Sequence, residues 1–480
     1  MTYNKDFIVR LIFTALLFAP LIAGIVLKKR NKLDPDKMCV LIIMTGILLR
    51  VLYIYHTKVT VRQHDVGSFS ELDGGHAAYI MYLYRRHHLP QFDPRTVDQF
   101  YHPPLHHIIS ALWLALMNLL GVDMVTDAPE TLQALTMGYS SLFCVFAYKA
   151  FKRLHLKDKG LVLATAFVTF HPTLIILSGS INNDMLSGLF AMLAIYLTIK
   201  WSQDKKWSSI ILLAFSIGLG MMTKLTVGLL APAVAAVFLV VLIRNRKSFW
   251  KFILQFISFG IICIPLGLAW VIRNYLKFDV PFNYVPLLPT TSGQYIDMPI
   301  FRRLTDLGLY QLSSPFIQWK PDGDPYNEHN PVIAMFKTAM FDEGTYFRHS
   351  ITLQSFCAML LLCNIVISII AVIGLVMMWI KYPRIKFHHK LFITLISLVI
   401  FGNFIIFCTN YPHVCTQNMR YCLPLIFTAA AVCGMLIERD KLNSNFFRTC
   451  KGVLCRGTAA FCALSSIMVI AMGFYYLPQR

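Results

Sequence analysis

The chain has 480 residues, of which 56% are hydrophobic and only 24 are Asp or Glu, against 44 Lys or Arg. Its mean hydropathy of +0.59 points to a single polytopic membrane domain over 1–480, not to the two or three soluble domains its length would allow. The formal charge of +20 would suit a nucleic-acid binder, but the basic residues fall in short clusters beside apolar runs, as the positive-inside rule requires, so nucleic acid is excluded as a partner.

Runs of about 18 or more apolar residues, enough to span a bilayer, lie near 7–27, 38–55, 131–150, 160–178, 184–200, 207–223, 225–243, 251–272, 353–380, 391–408, 421–437 and 457–476. The first lacks a small-residue cleavage site and is expected to be retained. A further apolar helix, at 103–120, opens with Pro103-Pro104 and carries His106, His107 and Asn118. Basic clusters stand at 28–30, 149–159, 205–206, 244–247, 381–390 and 439–456. From 149 onward they mark every second loop, which makes those loops cytoplasmic. The same sense at 28–30 puts the loop after 56 outside, and an odd number of crossings must then separate residue 100 from residue 150. Helix 103–120 is therefore expected to lie half-buried at the outer surface. The fold expected is an all-α bundle of 12–13 transmembrane helices with both termini outside. The twelve Cys fall mostly within apolar runs, without a CxxC pair, and read as small buried hydrophobes.

That topology gathers five polar sites at the outer boundary. The first loop (56–130) contains Arg62-Gln63-His64-Asp65-Val66-Gly67 and Asp73-Gly74-Gly75-His76. The others are Ser180-Ile181-Asn182-Asn183-Asp184, Thr223-Lys224, Arg273-Asn274 and Gln417-Asn418-Met419-Arg420-Tyr421. Each has a plain structural reading, such as a helix N-cap or a snorkelling cation. The isolated Lys224, Arg273 and Arg420 resist it, because they stand on the side that the positive-inside bias empties of cations. Carboxylates and cations around one outer cavity suit a phosphorylated lipid held beside a catalytic base. His102 and His106, four apart, have a spacing that can hold a metal, but without a third ligand they read as an interfacial pair.

These residues together resemble the GT-C glycosyltransferases that use polyprenyl-phosphate sugars, in the aminoarabinose-transferase-like and protein O-mannosyltransferase-like branch. The likeness covers roughly 38–440 and rests on five elements in order. They are a carboxylate in the first outer loop with Phe100-Tyr101-His102-Pro103-Pro104-Leu105, then Asn183-Asp184, Gly220-Met221-Met222-Thr223-Lys224, Trp270-Val271-Ile272-Arg273-Asn274 and Arg420-Tyr421. The chain departs from the branch at the first carboxylate, which is usually Asp-Glu; neither Asp65-Val66 nor Asp73-Gly74 supplies the Glu. A helix at 7–27 also precedes the usual first crossing, and acceptor recognition is expected to come from the loops.

The resemblance implies an inverting, base-assisted transfer on the extracytoplasmic face of a bacterial cell membrane, in cell-envelope glycosylation. The partners implied are a polyprenyl-phosphate sugar donor, membrane lipid, and a glycan, lipid or protein acceptor. Asp65 is the first choice for the base, with Asp73 second by its spacing to Tyr79, and Asp184 would orient the acceptor or the base. Lys224, Arg273, Asn274 and Arg420 would bind the donor phosphate. His76, Tyr101, His102, Asn183 and Tyr421 would contact substrate. No resident cofactor or metal ligand set is implied, although related enzymes differ in their need for a divalent cation. Loop 275–350, with Asp322-Gly323-Asp324 and Asp342-Glu343, is either an acceptor lid or a connector. The rival classes are a secondary transporter, which should show midplane charges and an internal repeat, and a lipid-phosphate-binding flippase, which would need the cations but not the carboxylates.

Overall fold

The computed structural model describes residues 2–60, 64–319, 328–347, 349–381, 385–438 and 445–475. Among these, helix is the regular structure throughout, apart from an isolated antiparallel bridge between Tyr295 and His413. In chain order the helices are α1 (Thr2–Leu16), α2 (Phe18–Lys29), α3 (Pro35–His56), α4 (Gly75–Arg86), α5 (Leu105–Leu119), α6 (Ala128–Arg153), α7 (Asp158–Thr169), α8 (Pro172–Ile176), α9 (Asp184–Asp204), α10 (Trp207–Met221), α11 (Ala231–Arg244), α12 (Phe249–Phe278), α13 (Ile300–Thr305), α14 (Pro331–Phe341), α15 (Ile351–Lys381), α16 (Phe387–Asn410), α17 (Leu423–Ile437) and α18 (Asn445–Tyr475).

All twelve expected runs are helical. Nine of the described helices are long and apolar enough to span, and the pair α7–α8 makes a tenth, bent by 49° at a break. The bend falls before Pro172, whose ring cannot continue the preceding hydrogen-bond ladder. The remaining two are marginal for different reasons. α10 has only 15 residues, and α6 has 26 but carries Gln133, Lys149, Lys152 and Arg153 along its length. Helix α5 has 15 residues, about 22 Å at 1.5 Å per residue, short of the roughly 30 Å of a bilayer core. One face of α5 buries His106, His107, Ser110 and Leu114, while Leu112, Leu116 and Leu119 stand exposed on the other. That is the pattern of a helix packed on the protein and facing lipid.

The helices share one large apolar core running from α3 through α18, with two smaller cores where α4, α5 and the start of α6 meet. Close approach is built in where α7 crosses α17: a Cβ on Gly160 would lie 2.4 Å from the Gly434 carbonyl oxygen. Small residues at such crossings replace the missing hydrophobic drive between helices in lipid. The core also holds a charge. Arg50, fully buried on α3, donates from Nε to the Ser140 hydroxyl (2.8 Å) and from Nη1 to the Gly46 and Thr169 carbonyls (2.9 and 3.0 Å). It ties α3 to α6 and α7, because a guanidinium left unpartnered in the core would be costly.

Candidate active site

The first loop is pinned by its glycines. His76 N–H donates to the Asp65 carbonyl (2.9 Å), Ala77 N–H to that of Val66 (2.8 Å), and Gly75 N–H to that of Asp98 (3.1 Å). Gly67 at φ +63° and Gly75 at φ +88° make this approach: a Cβ on Gly67 would lie 2.0 Å from the Gly74 carbonyl oxygen, and one on Gly75 2.5 Å from the Gly67 nitrogen. Asp65 itself is left-handed at φ +52°, which Asp tolerates better than most residues. The turn thereby delivers the Asp65 carboxylate, 46% exposed, to the mouth of the site. Asp73 is not brought there. It is exposed and accepts a hydrogen bond from the Ser68 hydroxyl (2.7 Å).

Beneath Asp65, the N-terminus of α9 buries Asp184. Its Oδ2 accepts from Asn182 Nδ2 (3.0 Å), and the Lys224 ammonium donates to its Oδ1. Arg420 joins the two carboxylates: Nη1 lies 3.5 Å from Asp184 Oδ2 and Nη2 3.5 Å from Asp65 Oδ2. The same Nη2 is 2.9 Å from the Tyr421 hydroxyl, and both Lys224 and Arg420 lie over the Tyr421 ring, at 4.9 and 5.0 Å. Lys224 and Arg420 thus find their anions within the protein. Asn183 is taken up structurally, donating to the Thr223 carbonyl (3.0 Å).

A wall of histidines closes one side. His76 lies 5.4 Å from His102 and 5.2 Å from His107, ring to ring, and His76 Nδ1 meets His107 Nε2 at 2.9 Å. Burial, and then neighbouring rings and cations, hold His76, His102 and His107 well below the usual histidine pKa, so the wall is neutral. His102 and His106 do not form a metal pair. The helix begins only at Leu105, after Pro103-Pro104, so the two do not share its face; His106 Nε2 instead donates to the Ile181 carbonyl (2.6 Å). The Leu105 N–H also donates to the Met222 carbonyl (3.0 Å), locking the Pro-Pro turn onto the segment that carries Lys224.

Arg273 stands apart from this cluster. Nη1 donates to Asn274 Oδ1 (2.8 Å), Nη2 to the Pro90 carbonyl, and the guanidinium lies 4.9 Å from the Trp270 ring. Trp270 Nε1 in turn donates to the Tyr101 carbonyl (3.0 Å), so one indole separates Arg273 from the Asp65 side. Among the described residues Arg273 forms no ion pair with a carboxylate.

Segment 275–350 supplies residues the sequence did not single out as a site. Asp342 Oδ2 lies 2.6 Å from His64 Nε2, and Glu343 Oε2 lies 3.7 Å from His64 Nδ1. Asn418 Nδ2 donates to Asp342 Oδ1 (2.7 Å) and Glu343 Oε1 (3.1 Å). Burial and Arg420 oppose protonation of His64, but the two carboxylates outweigh them and raise its pKa. Burial also opposes ionisation of Asp342, yet His64, Asn418 and Arg420 together lower its pKa. The segment is anchored rather than free. Arg303, buried, donates to the His329 and Cys408 carbonyls and to Gln417 Oε1 (2.9, 2.7 and 2.8 Å). Asp322 and Asp324 lie outside the described residues.

An apolar cavity of about 410 Å³ opens between α14, α15, α16 and α17, lined by Phe336, Asn364, Phe401, Leu425 and, next to Arg420, Met419.

The family model for dolichyl-phosphate-mannose-protein mannosyltransferases matches residues 101–270. No curated protein matches the chain. Among solved structures, the oligosaccharyltransferase of Archaeoglobus fulgidus in complex with Zn and sulfate is similar at TM-score 0.51 and 11% identity, over 90% of this chain and 53% of that one. ArnT from Cupriavidus metallidurans, in the apo state, is similar at TM-score 0.39 and 13% identity, over 89% and 77%. The chain spans about half the length of the oligosaccharyltransferase chains it matches. Residues 101–270 thus match the mannosyltransferase family model, and the multi-pass helical bundle shares its fold with the oligosaccharyltransferase of Archaeoglobus fulgidus.

Proposed function

We propose that this protein is a glycosyltransferase that moves a sugar from a polyprenyl-phosphate donor to an acceptor on the extracytoplasmic face, with inversion. The observation that carries this reading is the bridge at Arg420. One accessible carboxylate, Asp65, and one buried carboxylate, Asp184, share a guanidinium at the rim of a membrane bundle. Asp65 would take the proton from the acceptor hydroxyl or amine as that group attacks the anomeric carbon, while the bond to the lipid phosphate breaks on the opposite face. A single displacement of this kind inverts the centre. Asp184, held by Lys224 and Asn182, would fix Arg420 and through it Asp65.

The sidedness rests on helix ends. Asp184 begins α9, which ends just before Lys205; Lys224 follows α10, which starts after Lys206; Arg273 lies near the end of α12, whose start follows Arg246 and Lys247. Each site residue therefore stands at the end away from a basic cluster, the outer end under the positive-inside rule.

Because Lys224 and Arg420 already hold carboxylates, the donor phosphate would fall chiefly to Arg273 and its partner Asn274. Lys224 and Arg420 would lend the field that remains. Tyr101, His102, His76 and Tyr421 would line the sugar, and the cavity beside Met419 offers apolar space for the lipid. Arg273→Ala is expected to weaken binding of bare polyprenyl phosphate by roughly 1.5–3 kcal/mol, the range for a charge-assisted hydrogen bond. Arg273→Lys should recover only part of this, since the two-pronged contact is lost, and acceptor affinity should not change. Lipid binding that ignores both substitutions would make Arg273 a clasp for the Pro90 carbonyl and nothing more.

A further inference from the structure

We propose that the basic pocket where α9 and α11 end and α16 begins holds the phosphate of an anionic phospholipid, in the leaflet opposite the Asp65–Asp184 centre. α9 starts at Asp184 and runs for 21 residues, about 31 Å at 1.5 Å per residue, so its far end lies the thickness of a bilayer core away from that centre. Three elements are tied together there. The Lys205 ammonium, just past α9, donates to Asn245 Oδ1 (2.9 Å) at the end of α11. Ser202 Oγ on α9 lies 3.0 Å from His389 Nε2 on the first turn of α16. Arg244, the last residue of α11, lies 5.8 Å from the ring of Phe387, the first residue of α16.

Two observations separate this pocket from an ordinary solvated basic patch. The first is His388. It is only 5% exposed, and neither ring nitrogen has a hydrogen-bond partner among the described residues. The charged groups that bear on its ring are Arg244, Lys386 and Lys205, all cations. A neutral imidazole keeps one N–H to donate, and buried polar groups are normally satisfied. A phosphate oxygen would satisfy this one while neutralising its neighbours. The second is the balance of charge. Among the described residues Lys205, Arg244 and Lys386 form no ion pair with a carboxylate. The adjacent acid, Asp204, is occupied by the Lys206 N–H (3.1 Å) and the Ser209 hydroxyl (2.9 Å). The start of α16 adds the positive end of its dipole. Leu239 and Ile243, four apart on α11 and both exposed, continue from Arg244 as an apolar strip, and Phe387 is exposed beside it. A phosphate carrying acyl chains fits both the cations and the strip, whereas free phosphate would use the cations alone.

The inference does not depend on sugar transfer, so direct binding tests it apart from activity. The full-length protein, purified in detergent and stripped of lipid, is followed by native mass spectrometry and by its melting midpoint. Phosphatidylglycerol, phosphatidylcholine and inorganic phosphate are added in separate arms. One retained phosphatidylglycerol and a higher midpoint are expected, with phosphatidylcholine and inorganic phosphate each doing far less. Arg244→Gln/Lys386→Gln should weaken phosphatidylglycerol binding by about 30-fold, the combined effect of two cations near a lipid surface. His388→Phe, which keeps a ring and removes its N–H, should weaken it by about 10-fold. Lys28→Gln/Lys29→Gln, in an exposed basic cluster assigned to the same side, should bind as the unmodified protein does. Should the Arg244/Lys386 double variant fail to fold, the exposed Lys386→Gln alone decides. Three results overturn the proposal. They are equal retention of phosphatidylglycerol and phosphatidylcholine, a midpoint raised as much by inorganic phosphate as by the lipid, and a loss in Lys28→Gln/Lys29→Gln as large as in Arg244→Gln/Lys386→Gln.

Discussion

Replacing Asp65 by Asn should cut sugar transfer by about 10²-fold or more, the usual scale for a lost general base, while leaving the protein folded and able to bind donor lipid. The substitution keeps the shape and removes only the charge. The turn that positions residue 65 is held by backbone bonds from His76 and Ala77 and by the Gly67–Gly75 contact, none of which uses the side chain. The carboxylate is accessible to an incoming hydroxyl, whereas Asp184 is sealed beneath Lys224 and Arg420. Asp73→Asn should leave transfer near normal, because its carboxylate faces solvent and the Ser68 hydroxyl. Rates from purified protein with a defined donor settle the matter: a slow Asp73→Asn beside a normal Asp65→Asn would move the base to Asp73.

Lys337→Met should destabilise the segment behind the site by roughly 3–5 kcal/mol, the penalty for stranding one partner of a buried ion pair. The Lys337 ammonium donates to Glu328 Oε1 and to the Gln311 carbonyl, and both charged side chains are fully inaccessible. The other Glu328 oxygen accepts from the Gln318 N–H (2.7 Å), and Gln417 Nε2 donates to the Glu328 carbonyl (2.6 Å). Burial raises the pKa of Glu328 and lowers that of Lys337, each against the pull of its partner, which measures how poorly either charge would fare alone. The double variant Glu328→Gln/Lys337→Met should recover much of the loss, since no uncompensated charge remains. Chaotrope midpoints in detergent for the two single variants and the double supply the cycle. Equal losses in all three would mean that packing, not charge, is what the pair contributes.

The bundle was legible because lipid forces a simple code: long apolar runs, punctuated by basic clusters, became helices at the places the hydropathy marked. The half-buried α5 followed from the charge alternation together with the Pro103-Pro104 entry and the His106, His107 and Asn118 that mark the helix. The contest between Asp65 and Asp73 was not legible, because it turns on a backbone contact between Gly67 and Gly75 that residue types and spacing do not specify. Lys224 and Arg420 read as cations waiting for a ligand, but the sequence could not say that Asp184, 40 and 236 positions away, would meet them. Within segment 275–350 the anchoring role of Arg303, Glu328 and Lys337 was not legible, because these residue types are ordinarily at the surface. Their burial depends on the Cys408 carbonyl at the end of α16 and on Gln417 just after it, more than 65 residues along the chain. The Asp342-Glu343 pair was visible, but its direct contact with His64 and its shared partner Asn418 were not. Arg50 passed unnoticed inside an apolar run for the same reason: its partners come from α6 and α7.

The central claim is chemical transfer from a lipid phosphate at the Asp65–Arg420–Asp184 centre. Its most direct test reconstitutes the purified protein in liposomes with a radiolabelled polyprenyl-phosphate sugar and a membrane extract as acceptor source, and follows both products. The account predicts equal formation of free polyprenyl phosphate and labelled acceptor, with the anomeric centre inverted, both lost in Asp65→Asn. Movement of intact donor lipid across the bilayer, or uptake of solute with the sugar–phosphate bond unbroken, would contradict it.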